Sequence, residues 1–352
     1  MPPAPAWPPW RLAGYALLAL FFAFAHLRLI VLLMPKAFQL SAAVGEGVVR
    51  GEPPWRVYQS RVLGPQLVHA MAESPDRIAE AYAAFAILVL FVSGFCLLWL
   101  TNRLRDPRRP AVPAFLILQA GFAVLLPCIW LYAWDLLALL FFTLFNYLVL
   151  ARTRRAWFAI LVPVALLNHE IALFMAVWLV LDPVVRYVAG PRSASFRFDW
   201  ASSVLGLALI GGGVALIETL RRTLLVRETL RPEELLPQIT YGGSVHFSLR
   251  QNWNTLASSF TLEPAAAYPF VVTLFLILVL VLAVRLARSD LVRYGALAAI
   301  VIGMVGALLL FGLVFETRVL MPLLPFVAMN AWHAFARESS GGAAEGAIRP
   351  HT

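Results

Sequence analysis

Three polar residues, Asn168-His169-Glu170, separate two long apolar runs, 156–167 and 171–181. An ionised carboxylate at membrane depth is costly unless it is paired or hydrated, so an acid placed there marks a candidate functional site. Either Glu170 or its neighbour His169 could act as a general base. The alternative is a structural polar cluster that holds two helices together.

Isolated charges also occur in two other short turns between apolar segments. Asp135 follows Trp134 in one turn, and Glu316 lies just before Arg318 in the other. Asp135 could serve as the base in place of Glu170, or it could cap the helix that follows, because Asp is preferred at helix N-termini. Glu316 and Arg318 could shape the same pocket, or they could simply pair with each other.

The segment 35–79, which follows the first apolar run, adds arginine and aromatic side chains. Arg56 and Arg61 could hold phosphate oxygens through forked hydrogen bonds. Tyr58, together with Trp134, could stack on sugar rings or line a lipid groove. These residue types suit a reaction on a phosphorylated lipid. Two or three of the carboxylates could share a divalent metal, although nothing in the sequence requires one.

The composition is typical of a polytopic membrane protein. Hydrophobic residues make up 61% of the chain and charged residues 13%, whereas soluble domains carry about 25% charged residues. We predict an all-α transmembrane bundle of about ten spans, forming one integral membrane domain over 1–336, with a disordered cytoplasmic tail at 337–352. The predicted spans are 11–34, 80–101, 111–131, 135–151, 156–167, 170–184, 200–219, 267–287, 293–314 and 319–336.

The net charge of +9 is explained by arginine-rich short loops between the apolar runs, which indicate cytoplasmic loops and not nucleic-acid binding. A single helix over 156–184 would extend about 43 Å, well beyond a hydrocarbon core of about 30 Å. A break at Asn168 gives ten spans and leaves a small majority of Lys and Arg on the cytoplasmic side. Both termini are then cytoplasmic, and Glu170 lies recessed below the outer surface.

Two long segments, 35–79 and 220–266, are predicted to be external. The first has apolar residues at helical spacing around 38–49 and again at 62–71, separated by Gly51-Glu52-Pro53-Pro54. This pattern predicts two short helices that lie on the membrane surface.

Parts of this first external segment resemble a known family. Ala42-Ala43, then Gly51-Glu52-Pro53-Pro54-Trp55 and Tyr58–Pro65 (YQSRVLGP), are similar to the first external loop of the GT-C superfamily. Those proteins are polytopic glycosyltransferases that use polyprenyl-phosphate sugar donors. The superfamily usually places an acidic residue ahead of the Ala-Ala pair, but residues 35–39 here read PKAFQ and contain no acid.

The three turns also resemble those of bacterial GT-C-like membrane proteins, through Trp134-Asp135, Asn168-His169-Glu170 and the stretch 316–322. The resemblance implies a glycosyltransferase of the bacterial inner membrane, embedded among lipids, that transfers a sugar to a glycan or lipid acceptor at the outer face. Arg56 and Arg61 would bind phosphate, and Asp135 or Glu170 would be the base. The alternatives are a transporter or flippase of lipid-linked saccharides, a polysaccharide polymerase or ligase, and a non-enzymatic subunit.

Overall fold

The computed structural model describes residues 8–336 except 34, 105, 107–108, 127–129, 191–197, 230–247, 262–266 and 315. Within these residues the chain forms thirteen α-helices and no strand, which confirms the predicted all-α bundle. The predicted tail 337–352 and much of the predicted external loop 220–266 lie outside the described residues.

The helices are numbered here in chain order. They are α1 (Pro9–Leu33), α2 (Pro35–Val49), α3 (Leu63–Met71), α4 (Ile78–Arg103), α5 (Ala111–Leu125), α6 (Ala133–Ala151), α7 (Ala156–Leu166), α8 (Leu173–Ala189), α9 (Trp200–Thr223), α10 (Leu249–Ser258), α11 (Ala267–Ser289), α12 (Leu291–Phe311) and α13 (Leu324–Ala336). Short 3-10 helices occupy Arg56–Ser60, Pro75–Arg77, Glu170–Ala172 and Thr317–Leu323.

Every predicted span overlaps a helix, but the helices differ in length. In the described part of the chain, seven helices are long and apolar enough to cross a membrane: α1, α4, α6, α8, α9, α11 and α12. The apolar helices α5 and α7 have only 15 and 11 residues. The last predicted span is divided between the 3-10 helix Thr317–Leu323 and α13. The chain is therefore a multi-pass membrane protein by helix length and composition.

Helix α6 lies at the centre of the bundle. In the most apolar part of α6, 78% of the residues are buried inside the protein, against 22% for α1 at the periphery. Helix α6 packs against α4, α13 and the 3-10 helix Thr317–Leu323, while α8 packs against α9 and α12. Phe142 and Phe145 of α6 are buried in one continuous apolar core. Asp135, in the first turn of α6, is thus placed at the middle of one end of the bundle.

The connections gather at two opposite ends. We call the end at which α6, α8 and α13 begin the acidic end, and the end at which α6 and α8 finish the basic end. At the basic end Arg155 pairs with Asp199 at 2.7 Å. There the buried Arg109 also donates to the Met329 carbonyl at 2.7 Å and to Asn330 Oδ1 at 2.6 Å. These contacts tie the loop before α5 to α13.

The segment after α1 folds over the acidic end as two short helices, α2 and α3, with a break between them. The break includes Gly51, whose φ of +74° lies in the left-handed region that glycine adopts without strain. Its carbonyl accepts the Val226 N–H at 2.7 Å. At the start of α3, the Leu63 N–H donates to the Leu167 carbonyl at 2.9 Å and so satisfies a carbonyl at the end of α7.

Gly64 allows α3 to approach the first turn of α6 closely. A Cβ at this position would lie 2.9 Å from both the Ala133 carbonyl carbon and the Trp134 nitrogen, which are backbone atoms. We therefore expect Gly64→Ala to destabilise the protein by about 1–3 kcal/mol, because the backbones must separate. Thermal unfolding in detergent is the measurement. Gly211→Ala is the matched control, since nothing lies within 4 Å of its Cβ; equal melting temperatures for the two variants would refute the expectation.

Candidate functional site

Arg61 and Glu170 form a forked ion pair at the acidic end, although they are 109 residues apart in the chain. Arg61 Nε donates to Glu170 Oε2 at 3.2 Å, and Nη2 donates to Oε1 at 2.6 Å. Arg61 follows directly after the 3-10 helix Arg56–Ser60, and Glu170 begins the 3-10 turn before α8. Two parallel charge-assisted bonds of this kind fix both side chains in one geometry.

A second group, Arg318 with Asp135 and Glu316, lies deeper in the same end. Arg318 Nη1 is 3.5 Å from Asp135 Oδ2, and Arg318 Nη2 pairs with Glu316. Asp135 Oδ2 also accepts the Tyr132 N–H at 2.9 Å. Asp135 therefore helps to cap α6, but from the third position of the helix, because the N-cap residue is Tyr132. The predicted pairing of Glu316 with Arg318 is confirmed.

Tyr58 connects the two groups. Its ring centre lies 5.0 Å below the Arg61 guanidinium, and its hydroxyl accepts from Arg318 Nη2 at 3.4 Å. The Trp134 and Tyr132 rings pack on it at 5.1 Å and 5.5 Å. Burial raises the pKa of Tyr132 to about 12 and that of Tyr58 well above its usual range, so both phenols stay protonated. The structure thus brings Asp135, Glu170, Glu316, Arg61 and Arg318 into one connected network.

Asn168 explains why the chain breaks between α7 and α8. This buried residue donates from Nδ2 to the Trp134 carbonyl at 2.8 Å, so the turn at 168–170 is bonded to the start of α6. The next residue, His169, is extended, with φ of −163° and ψ of 134°. The break predicted at Asn168 is confirmed, and it places Glu170 against Arg61.

His169 lies beside Glu170 as a neutral side chain. Its Nδ1 accepts the Ile171 N–H at 3.2 Å and lies 3.6 Å from Glu170 Oε2. Burial, and then the charge of Arg61, lower the pKa of His169 to about 3. An imidazole with so low a pKa is a weak base at neutral pH, which argues against His169 as the base.

The lowered pKa of His169 predicts a specific acid sensitivity. The unfolded chain binds a proton at His169 near pH 6.5, whereas the folded chain stays neutral down to about pH 3. His169 therefore contributes stability that is fully present above pH 6.5 and is lost as the pH falls toward 3. Between pH 8 and pH 5 we expect a loss of at most about 2 kcal/mol from this residue. His169→Gln should flatten the pH dependence of the melting temperature; an unchanged slope would refute this.

Arg56 is placed apart from the ion pair. Its Nη2 lies 3.5 Å from Glu218 Oε1, and its backbone N–H donates to Glu228 at 3.0 Å. Both acids belong to the end of α9 or to the segment that follows it, a region that the sequence did not indicate as part of the site. Arg56 and Arg61 were predicted to bind phosphate together, but in the structure each pairs with a different acid.

Arg221, on the last turn of α9, is the residue that sequence reasoning missed. Its Nη2 lies 4.0 Å from Glu170 Oε1, and its buried Nε has no hydrogen-bond partner among the described residues. Arg221 and Arg222 lie at the end of the bundle that is predicted to be external, where cations are less frequent. That unusual position is the sequence signal that could have identified Arg221. Arg221 adds an under-used cation next to the Arg61–Glu170 pair.

Solvent exposure divides the network into a closed part and a partly open part. The Asp135 and Arg318 side chains are only 3% and 4% exposed. Glu170 is 29% exposed and Arg221 19%, and Arg56 above them reaches 44%. Within the described chain Glu170 and Arg221 are therefore partly open to solvent, while Asp135 is enclosed.

The predicted sharing of a divalent metal by these carboxylates finds no geometric support. Among the described residues, no group of three or more His, Cys, Asp and Glu side chains could hold a metal ion. Arginine takes that place: Arg318 joins Asp135 to Glu316, and Arg61 engages both oxygens of Glu170.

Comparison with known proteins leaves the resemblance to the GT-C superfamily as a prediction. No protein-family model, no curated protein sequence and no solved structure matches the chain.

Proposed function

We propose that the chain is a membrane-embedded glycosyltransferase that transfers a sugar from a polyprenyl-phosphate donor to a hydroxyl of a glycan or lipid acceptor. The reaction takes place at the acidic end, which the loop charges predict to be the outer face of a bacterial inner membrane. The observation that supports this most directly is the partly exposed Arg61–Glu170 pair with Arg221 beside it.

The donor phosphate is bound by the arginines. Phosphate oxygens match the guanidinium fork as a carboxylate does, so they compete with Glu170 for Arg61. Arg221 offers a buried Nε that has no partner within the described chain, and a phosphate oxygen would satisfy it. Arg56 lies further out and attracts the anion toward the site.

Displacement from Arg61 makes Glu170 available as the general base. Glu170 takes the proton of the acceptor hydroxyl while the hydroxyl oxygen bonds to the anomeric carbon of the sugar. The bond from that carbon to the donor phosphate oxygen breaks, and polyprenyl phosphate leaves with the electron pair. Arg61 and Arg221 stabilise the negative charge that develops on the phosphate.

Asp135 has a positioning role in this proposal. It holds Arg318 and the first turn of α6, and through them the Tyr58 and Trp134 rings that pack against Arg61. The aromatic faces next to the pair can also stack on a sugar ring.

The test is a transfer assay with the full chain in lipid nanodiscs. Polyprenyl-phosphate sugars are supplied with candidate glycan and lipid acceptors, and both glycosylated product and released polyprenyl phosphate are measured. We expect the two in equal amounts. Absence of turnover with every donor would refute the proposal. Product length on a gel distinguishes addition of one sugar from polymerisation or en bloc ligation.

One observation favours a transporter as the second candidate. The path through α7, the extended His169 and the 3-10 turn to α8 is a discontinuous helix with charges beside the break, an arrangement that many transporters use at their substrate sites. Accumulation of a lipid-linked saccharide in proteoliposomes without formation of a product would establish this function and exclude the transferase.

A further inference from the structure

The basic end contains a cavity of about 470 Å³ that has no role in the proposed transfer reaction. It lies where α6 finishes, α7 begins, α8 passes and α9 begins. The cavity is remote from Glu170, because the twelve helical rises from Glu170 to Asp182 amount to roughly 18 Å. Four arginines and two aspartates carry its charge: Arg152, Arg154, Arg155, Arg186, Asp182 and Asp199.

Positive charge exceeds negative charge around the cavity. Arg155 pairs with Asp199 and Arg186 pairs with Asp182, each at 2.7 Å. Within the described chain, Arg152 and Arg154 have no ion-pair partner, so two cations remain uncompensated.

Two further properties indicate that an anion would be stabilised here. Arg186 Nε is buried and finds no hydrogen-bond partner in the part of the chain that the structure describes. Burial, and then the charge of Arg186, lower the pKa of Arg152, which shows that its positive charge is poorly stabilised by its surroundings. An anion bound between these side chains would relieve both conditions.

The opposite wall of the cavity is apolar and aromatic. The Phe158 and Trp178 rings stack with centroids 5.0 Å apart, and both line the cavity. Chain neighbours of the lining residues, Trp157, Tyr187 and Trp200, are exposed aromatic residues. Tyr and Trp at a bundle end mark the level of the lipid headgroups.

We propose that this cavity binds the phosphate headgroup of an anionic membrane lipid in the leaflet at the basic end. Arg152 and Arg154 contact the phosphate oxygens, and the aspartates orient Arg155 and Arg186 toward it. The aromatic wall accommodates the glycerol and the first acyl carbons. Basic pockets between transmembrane helices recognise such headgroups in this way. The site does not depend on the transferase activity.

The experiment compares nanodiscs of phosphatidylcholine alone with nanodiscs that contain phosphatidylglycerol. After transfer to mild detergent, native mass spectrometry measures how much phosphatidylglycerol stays bound to the full chain. The test variant is Arg152→Asn/Arg154→Gln, in which Asn suits the left-handed backbone of position 152 (φ 49°). We expect the variant to retain roughly tenfold less phosphatidylglycerol than wild type.

The matched control is Arg11→Gln/Arg288→Gln, which removes two exposed arginines from the same end of the bundle. It should retain phosphatidylglycerol as wild type does. The melting temperature in phosphatidylcholine verifies that both variants fold. Equal retention by the two double variants would overturn the proposal. A melting-temperature rise with inorganic phosphate as large as that with phosphatidylglycerol would overturn the assignment to a lipid.

Discussion

Arg318→Met is expected to destabilise the folded protein by about 3–5 kcal/mol, because it leaves two enclosed carboxylates without their cation. Arg318 contacts both Asp135 and Glu316, and all three side chains are less than a tenth exposed. Methionine fills much of the arginine volume, so the loss is electrostatic more than steric. Chemical or thermal unfolding in detergent measures it.

Two companion variants separate charge from packing. Arg222→Met removes an exposed arginine whose ion pair is with Glu218, and it should change stability by less than about 1 kcal/mol. Arg318→Met combined with Asp135→Asn and Glu316→Gln should recover much of the lost stability, because no buried carboxylate is then left unpaired. If the triple variant is no more stable than Arg318→Met, the electrostatic account is wrong.

Glu170→Gln is expected to reduce kcat for sugar transfer by about 100- to 10,000-fold, the range over which a positioned general base contributes. Glutamine keeps the size and polarity of the side chain, so Arg61 remains in place. Since a neutral amide competes with phosphate less strongly than a carboxylate, KM for the donor should stay the same or fall. Initial rates over a range of donor concentrations separate the two parameters.

Glu218→Gln is the control for this substitution. Glu218 is an exposed acid near the same end, paired with Arg56 and Arg222, and its loss should leave kcat within a few-fold of wild type. If Glu170→Gln raised KM with an unchanged kcat, Glu170 would only position the donor. Full activity in Glu170→Gln would rule out the proposed base.

The sequence was sufficient to locate the turns and the breaks. Polar residues inside apolar runs are costly to bury, so Asn168, Glu170 and Asp135 could be singled out before any contact was known. The split of 156–184 followed from helix length against bilayer thickness. The shortening of α13 was less predictable, because the first part of the predicted span 319–336 forms a 3-10 helix, which hydropathy does not report.

The folded structure was needed to assign the charged side chains to their partners. Nothing local in the sequence connects Arg61 to Glu170 across 109 residues, or distinguishes the enclosed Asp135 from the partly open Glu170. Arg221 entered the site only because α9 ends beside the α7–α8 break. The arginines at 152–155 were predicted to be loop residues and do lie between α6 and α7, but their enclosure of a cavity depends on how α8 and α9 pack.

The pairing of Asp135 with Arg318 has a consequence for biogenesis. Synthesis proceeds from the N-terminus, so α6 and its acid leave the ribosome long before the arginine that neutralises it. Until the 3-10 helix Thr317–Leu323 has been inserted, Asp135 lacks the cation that pairs with it in the folded chain. Closure of the acidic end is therefore expected only after the segment that carries Arg318 has been translated, long after α6 itself.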